Sequence, residues 1–180
     1  MWGYVLPLVL AVVLFGQTYT VPTPATPPGD TYIVETDGDP LDVMPSLTLW
    51  SSQVPVTFLF HVGPTCEGVL PHRICVHLVS HTIFGETLAE NHLPTSWVGV
   101  TLFKNSAKDG SEVFVDVSAL WPDEILLHEL GHAIGLDHDV AGTIMYDSIS
   151  PTADKITCRD VAQWYHVRKR AVPLCSNGRR

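Results

Sequence analysis

Positive charge is scarce in this chain and missing from its first part. No lysine or arginine precedes Arg73, and ten basic residues stand against nineteen acidic ones over 180 positions. The resulting net charge of −9 leaves no basic stripe to neutralise phosphates, which argues against a nucleic-acid partner. Long apolar runs are also lacking. The N-terminal run at residues 5–15 falls short of the ~20 residues that a membrane-spanning helix needs, and it contains Pro7. It reads as part of a secretion signal covering residues 1–20. Because no basic residue precedes it, an uncleaved surface anchor is the alternative, and this would be the only membrane contact. The expected location is extracellular, or the cell surface if the segment is retained. Cysteine is sparse, with four residues, Cys66, Cys75, Cys158 and Cys175. An even number in an exported chain points to disulfides. Three pairings are possible; Cys66 with Cys75 and Cys158 with Cys175 are favoured because each closes a short local loop.

Residues 21–30, Val-Pro-Thr-Pro-Ala-Thr-Pro-Pro-Gly-Asp, lack the apolar content to join a core and read as an extended linker. The remaining 31–180 is long enough for one domain with its own core.

One stretch within it demands a particular chemistry: His128-Glu129-Leu130-Gly131-His132-Ala133-Ile134-Gly135-Leu136-Asp137-His138-Asp139. At about 100° per helical residue, His128 and His132 fall roughly 40° apart, so both imidazoles can reach one metal ion. Glu129 sits beside that face, placed to accept a proton without holding the metal. Gly135 permits the sharp left-handed turn that ends a helix and returns His138 as a third nitrogen ligand. Three neutral imidazoles with a fourth position open are the pattern of a catalytic zinc site.

With Gly135 and His138 included, and with Met145 following in Gly142-Thr143-Ile144-Met145-Tyr146, the stretch resembles the metzincin metallopeptidases, and matrixins among them. The resemblance implies an α+β zincin domain: a twisted mixed sheet, an active-site helix, a methionine turn and a C-terminal helix. It implies one catalytic Zn2+ on His128, His132 and His138, Glu129 as general base and Met145 as the apolar floor beneath the metal. Asp139 would hydrogen-bond backbone around the methionine turn or support a ligand from behind. A tyrosine ligand is not implied, since Tyr146 follows Met145 directly. Matrixins carry a second zinc on histidines and an aspartate. No aspartate occurs between Asp42 and Asp109, so His61, His72, His77, His81 and His92 are expected to be solvated or hydrogen-bonded.

Elsewhere the chain suggests strands at 31–35, 54–62, 73–80, 97–103 and 112–117. The run at 54–62, with Phe58, Leu59 and Phe60 adjacent, suits a strand covered on both faces. His77 and His81 would share one strand face. The resemblance places a long helix at 41–53, where Pro45 interrupts the pattern. It also makes Val98 to Leu102 the sheet edge that takes an extended peptide by strand addition. Pro122, Asp123 and Glu124 open the active-site helix; Thr157 to Asp160 cap a last one. Arg168, Lys169, Arg170, Arg179 and Arg180 form a basic tail expected to be solvated. The expected activity is that of a secreted zinc endopeptidase; the alternative is a secreted or surface-anchored zinc-binding adaptor without turnover.

Overall fold

The computed structural model describes residues 30–61, 66, 71–103, 110–147 and 155–172. The expected signal and most of the linker lie outside them. No helix among the described residues is long and apolar enough to cross a membrane.

The chain is α+β. A five-stranded sheet has the order β2-β1-β3-β5-β4, with β1 at Thr31–Thr36, β2 at Thr57–Phe60, β3 at Arg73–Val79, β4 at Gly99–Phe103 and β5 at Ser111–Asp116. The pairs β1/β2, β1/β3 and β3/β5 are parallel, and β4 runs antiparallel to β5 at the edge. Alternation along the central strands separates two faces. Tyr32, Val34, Ile74, Val76, Val113 and Val115 enter the main core, whereas Phe114 packs with Phe84, Leu88 and Val100 on the opposite side.

Four helices among the described residues cover these faces: α1 at Pro40–Gln53, α2 at His81–Glu90, α3 at Pro122–Ala133 and α4 at Cys158–Val167. The main core receives Val43, Leu47 and Trp50 from α1, Ile125, Leu126 and Leu130 from α3, and Val161 and Trp164 from α4. Helix α1 is continuous despite Pro45. Asp39 caps it by accepting the Leu41 amide at 2.9 Å, and the bond Pro45 cannot make would end on the carbonyl of Leu41, a residue 75% exposed and open to water. Burial of Val43, Leu47 and Trp50 and the Trp50 Nε1 bond to the Leu127 carbonyl, 2.9 Å, hold the helix in the core.

The structure corrects four expectations. β2 is an edge strand rather than one covered on both faces: Phe58 and Phe60 pack inward while Leu59 is 48% exposed. His77 and His81 do not share a strand face, because β3 ends at Val79 and His81 opens α2. Each instead pairs with its own carboxylate, His77 with Asp37 at 2.8 Å and His81 with Asp116 at 2.6 Å. The Cys66–Cys75 disulfide is not formed and both are free thiols. A hydrogen bond with Cys66, then burial, hold the Cys75 thiol well above its ordinary range, so the thiolate that starts disulfide exchange is scarce. Cys158 is disulfide-bonded; Cys175, its expected partner, lies outside the described residues.

The fourth correction concerns the basic tail. Arg168 is not solvated: Nε donates to Asp30 at 2.5 Å and Nη2 to the Ile134 carbonyl at 2.8 Å, while the guanidinium lies 4.1 Å from the Trp164 ring centre. Arg170 adds a 2.8 Å pair to Asp30. The end of α4 thereby ties the start of β1 to the end of α3. Truncating Arg168 to Ala should cost about 1.5–3 kcal/mol, the worth of a charge-assisted hydrogen bond in a partly buried setting. Urea unfolding of the two proteins measures it; a loss within about 0.5 kcal/mol would mean that the clamp is incidental.

Candidate metal centre

The centre begins with the way α3 starts and stops. Pro122 occupies the first turn with Asp123 and Glu124 near the positive end of the helix dipole. At the other end Gly135 has φ 91°. The Leu136 amide returns to the Gly131 carbonyl at 3.0 Å, and the Gly135 amide to His132 O at 2.7 Å. This doubly bonded stop redirects the chain within two residues and brings His138 back to the helix.

The three histidine rings then converge. Ring centres lie 4.7 Å apart for His128 and His132, 5.3 Å for His128 and His138, and 4.7 Å for His132 and His138. One ring nitrogen from each falls within 4.8 Å of the others. Backbone carbonyls on the far side set the tautomers of the first two. His128 Nδ1 donates to Ile144 O at 2.7 Å, and His132 Nδ1 donates to Leu136 O at 2.8 Å. Both Nε2 atoms are thus left with lone pairs, and these face each other at 3.0 Å. Two acceptors at that distance repel unless a proton or a cation lies between them. Protonation is opposed by burial and by the neighbouring imidazoles, which lower the pKa of His128 and take that of His132 down to about 4. The donor set therefore fits a divalent cation held by three neutral nitrogens.

Glu129 is 6% exposed and shares a pocket with the edge strand. Thr101 Oγ1 lies 2.7 Å from Glu129 Oε2 and 2.9 Å from its carbonyl oxygen, sharing one proton between them. Gly99 makes room for the carboxylate: a Cβ there would sit 2.8 Å from Oε1. Thr101 and Gly99 were expected only as part of the peptide-binding edge Val98 to Leu102, without a role toward Glu129. The one signal was a glycine inside a strand, which marks a close approach. Burial raises the Glu129 pKa to about 7, with the Thr101 bond opposing.

Met145 is fully buried under α3. A Cβ on Gly131 would collide with its Sδ, so glycine is what allows the helix to descend onto the methionine. Asp139 lies next to the third histidine, but its side chain does not hold the methionine turn. It accepts the Val140 amide at 2.7 Å and Arg159 Nε at 2.8 Å, while its own backbone amide donates to Met145 O at 2.8 Å. The turn is held by Asp160, which is fully buried and accepts the amides of Ile144 at 3.4 Å and Met145 at 3.3 Å. The same carboxylate takes the Thr157 amide and hydroxyl at 2.7 and 2.6 Å, closing the capping box of α4. Sequence reading found Asp160 only as a cap.

A cleft of about 730 Å³ opens over the histidines. Its walls include Trp97 to Thr101 along the edge strand, Tyr146 and Asp147. Neither the comparison with protein-family models nor the comparison with curated proteins gave a match to this chain.

Glu129 and His132 pull stability in opposite directions with pH when no metal is bound. Glu129 moves from 4.5 unfolded to about 7 folded; the folded state holds the extra proton, so stability falls as pH rises through that window. His132 moves from 6.5 to about 4; its contribution is fully present above 6.5 and is lost as pH falls toward 4. Glu129→Gln removes only the first. Metal-free Glu129→Gln protein should therefore gain on the parent progressively from pH 4.5 to 7, by up to about tenfold in the folding equilibrium per pH unit. Urea titrations across that range measure the difference; one that stays constant would show that Glu129 ionises like a solvated carboxylate.

Proposed function

We propose that this protein is an exported zinc-dependent endopeptidase of metzincin type. The observation that carries the reading is the pair of Nε2 lone pairs facing each other at 3.0 Å between His128 and His132, with a third histidine beside them and a buried carboxylate on the adjoining residue. His128, His132 and His138 would hold the zinc. When bound, it supplies Lewis acidity, lowering the pKa of water and polarising a carbonyl.

The chain's own groups do the rest. Glu129 takes the proton of the attacking water and delivers it to the departing amine, which turns a poor leaving group into a good one. Thr101 fixes the carboxylate by hydrogen-bonding one oxygen, and Gly99 leaves space for the other. The strand that carries both residues, β4, pairs with β5 on one side and among the described residues forms the sheet edge along the cleft. An extended peptide added to this edge would present its scissile carbonyl beside Glu129. Tyr146 and Asp147 line the same cleft, where side-chain selection would occur.

Glu129→Ala and His132→Ala separate the roles. Loss of Glu129 should leave zinc content intact and reduce peptide hydrolysis about 10²–10⁴-fold. His132→Ala should lose the metal itself, because two nitrogens hold zinc poorly. Elemental analysis with a peptide-library cleavage assay reads both. Unchanged hydrolysis by Glu129→Ala would refute the mechanism, and parent protein that keeps zinc yet cuts no peptide would make it a binding module.

Export is part of the proposal and rests on the apolar run at 5–15. Cleavage should fall between Thr18 and Asp30, leaving Asp30 in place for its pair with Arg168. N-terminal sequencing of the extracellular protein tests this; a terminus that retains Met1 through Phe15 would favour a surface anchor.

A further inference from the structure

A second group of metal-binding side chains lies away from the histidines. Glu35 and Cys75 are direct partners across the parallel β1/β3 pair, so their side chains leave the sheet on the same face. That face is opposite the one formed by Val34, Ile74 and Val76, on which the active-site helix packs. Glu35 is 4% exposed and Cys75 1%. Cys66 closes the group: one carboxylate oxygen and the two sulfurs all lie within 4.8 Å of one another. Ligands about 2.0–2.3 Å from a shared tetrahedral ion stand roughly 3.3–3.8 Å apart, so small rotations would bring these three onto one ion.

We propose that Glu35, Cys66 and Cys75 form a second metal site, independent of the histidine centre, for a borderline-soft divalent cation such as zinc. The surroundings fit that charge. His61 Nδ1 meets Glu35 Oε1 at 3.0 Å and Arg73 Nη1 donates to Oε2 at 3.1 Å, so the carboxylate is held from behind as a ligand's outer partners hold it. Binding releases the two thiol protons to solvent. Two thiolates and a carboxylate carry three negative charges, which a divalent ion and the partly exposed Arg73 guanidinium together balance, leaving a neutral cluster. A disulfide between the same sulfurs would leave the carboxylate only its pairs with His61 and Arg73. Bound metal would tie residue 66 to the middle of the sheet.

Cobalt(II) distinguishes the two centres, because only this one has sulfur ligands. Full-length chain purified anaerobically without added reductant, stripped of metal and titrated with Co2+, should develop a thiolate-to-cobalt charge-transfer absorption in the near ultraviolet. The band should be lost in the Cys66→Ser/Cys75→Ser double variant while the visible bands of histidine-bound cobalt remain. Glu35→Gln keeps both sulfurs and covers the case in which the double variant does not fold; its cobalt affinity at the sulfur site should fall about tenfold or more. Absence of the band from parent chain with free thiols would overturn the proposal, as would its persistence in the double variant. Unchanged affinity in Glu35→Gln would overturn the assignment of Glu35. Failure to detect free thiols in the anaerobically purified chain would overturn the site in favour of a structural disulfide.

Discussion

Two imidazole lone pairs forced to face each other are the constraint on which the described structure turns. Neither ring can relieve the conflict by changing tautomer, because each Nδ1 proton is already given to a carbonyl, Ile144 for His128 and Leu136 for His132. Those carbonyls have their own supports. Leu136 is placed by the two hydrogen bonds that end α3 around Gly135. Ile144 is placed by Asp160, which takes its amide and that of Met145 while capping α4. The arrangement therefore reaches from α3 through the turn at Met145 into α4, and most of it is backbone geometry.

This explains which parts were legible in the sequence. The three candidate histidines follow from helical periodicity and one glycine, both local properties, and His128, His132 and His138 converge in the structure. The α+β class was expected from the resemblance, whereas the positions of the five strands follow from apolar runs and turn residues. Asp160 was readable only as a cap, because its second task depends on a turn fifteen residues away in sequence. The resemblance gave that task to Asp139; in space its carboxylate accepts the Val140 amide and Arg159 instead.

Other features failed to register because tertiary contacts outweighed local signals. Helix α1 was expected at 41–53 from the resemblance alone, because Pro45 interrupts the local pattern; burial of Val43, Leu47 and Trp50 sets it. Helix α2 buries only Phe84 and Leu88 and has Gly85 in its interior, too little for a clear periodic pattern. Charge runs mislead in the same way. Arg168 and Arg170 look like a solvated tail until Asp30, far away along the chain, is seen between them. The edge position of β2 likewise depends on which strands pair, a property that its Phe-Leu-Phe sequence does not encode.

Glu129 shows how the fold and the proposed chemistry are joined. A carboxylate that is 6% exposed and has one hydroxyl partner is poorly placed to carry charge, and burial answers by raising its pKa to about 7. The core would be more stable with an apolar side chain there. The cost is concentrated where α3 meets the sheet edge, at contacts so close that Gly99 cannot carry a side chain without displacing Ile125 or Glu129. A cation held by the adjacent histidines would offset this cost by favouring the ionised carboxylate. The same ion that relieves the opposed lone pairs would thus also stabilise the charged base, so the two least favourable features of the metal-free protein have a common remedy.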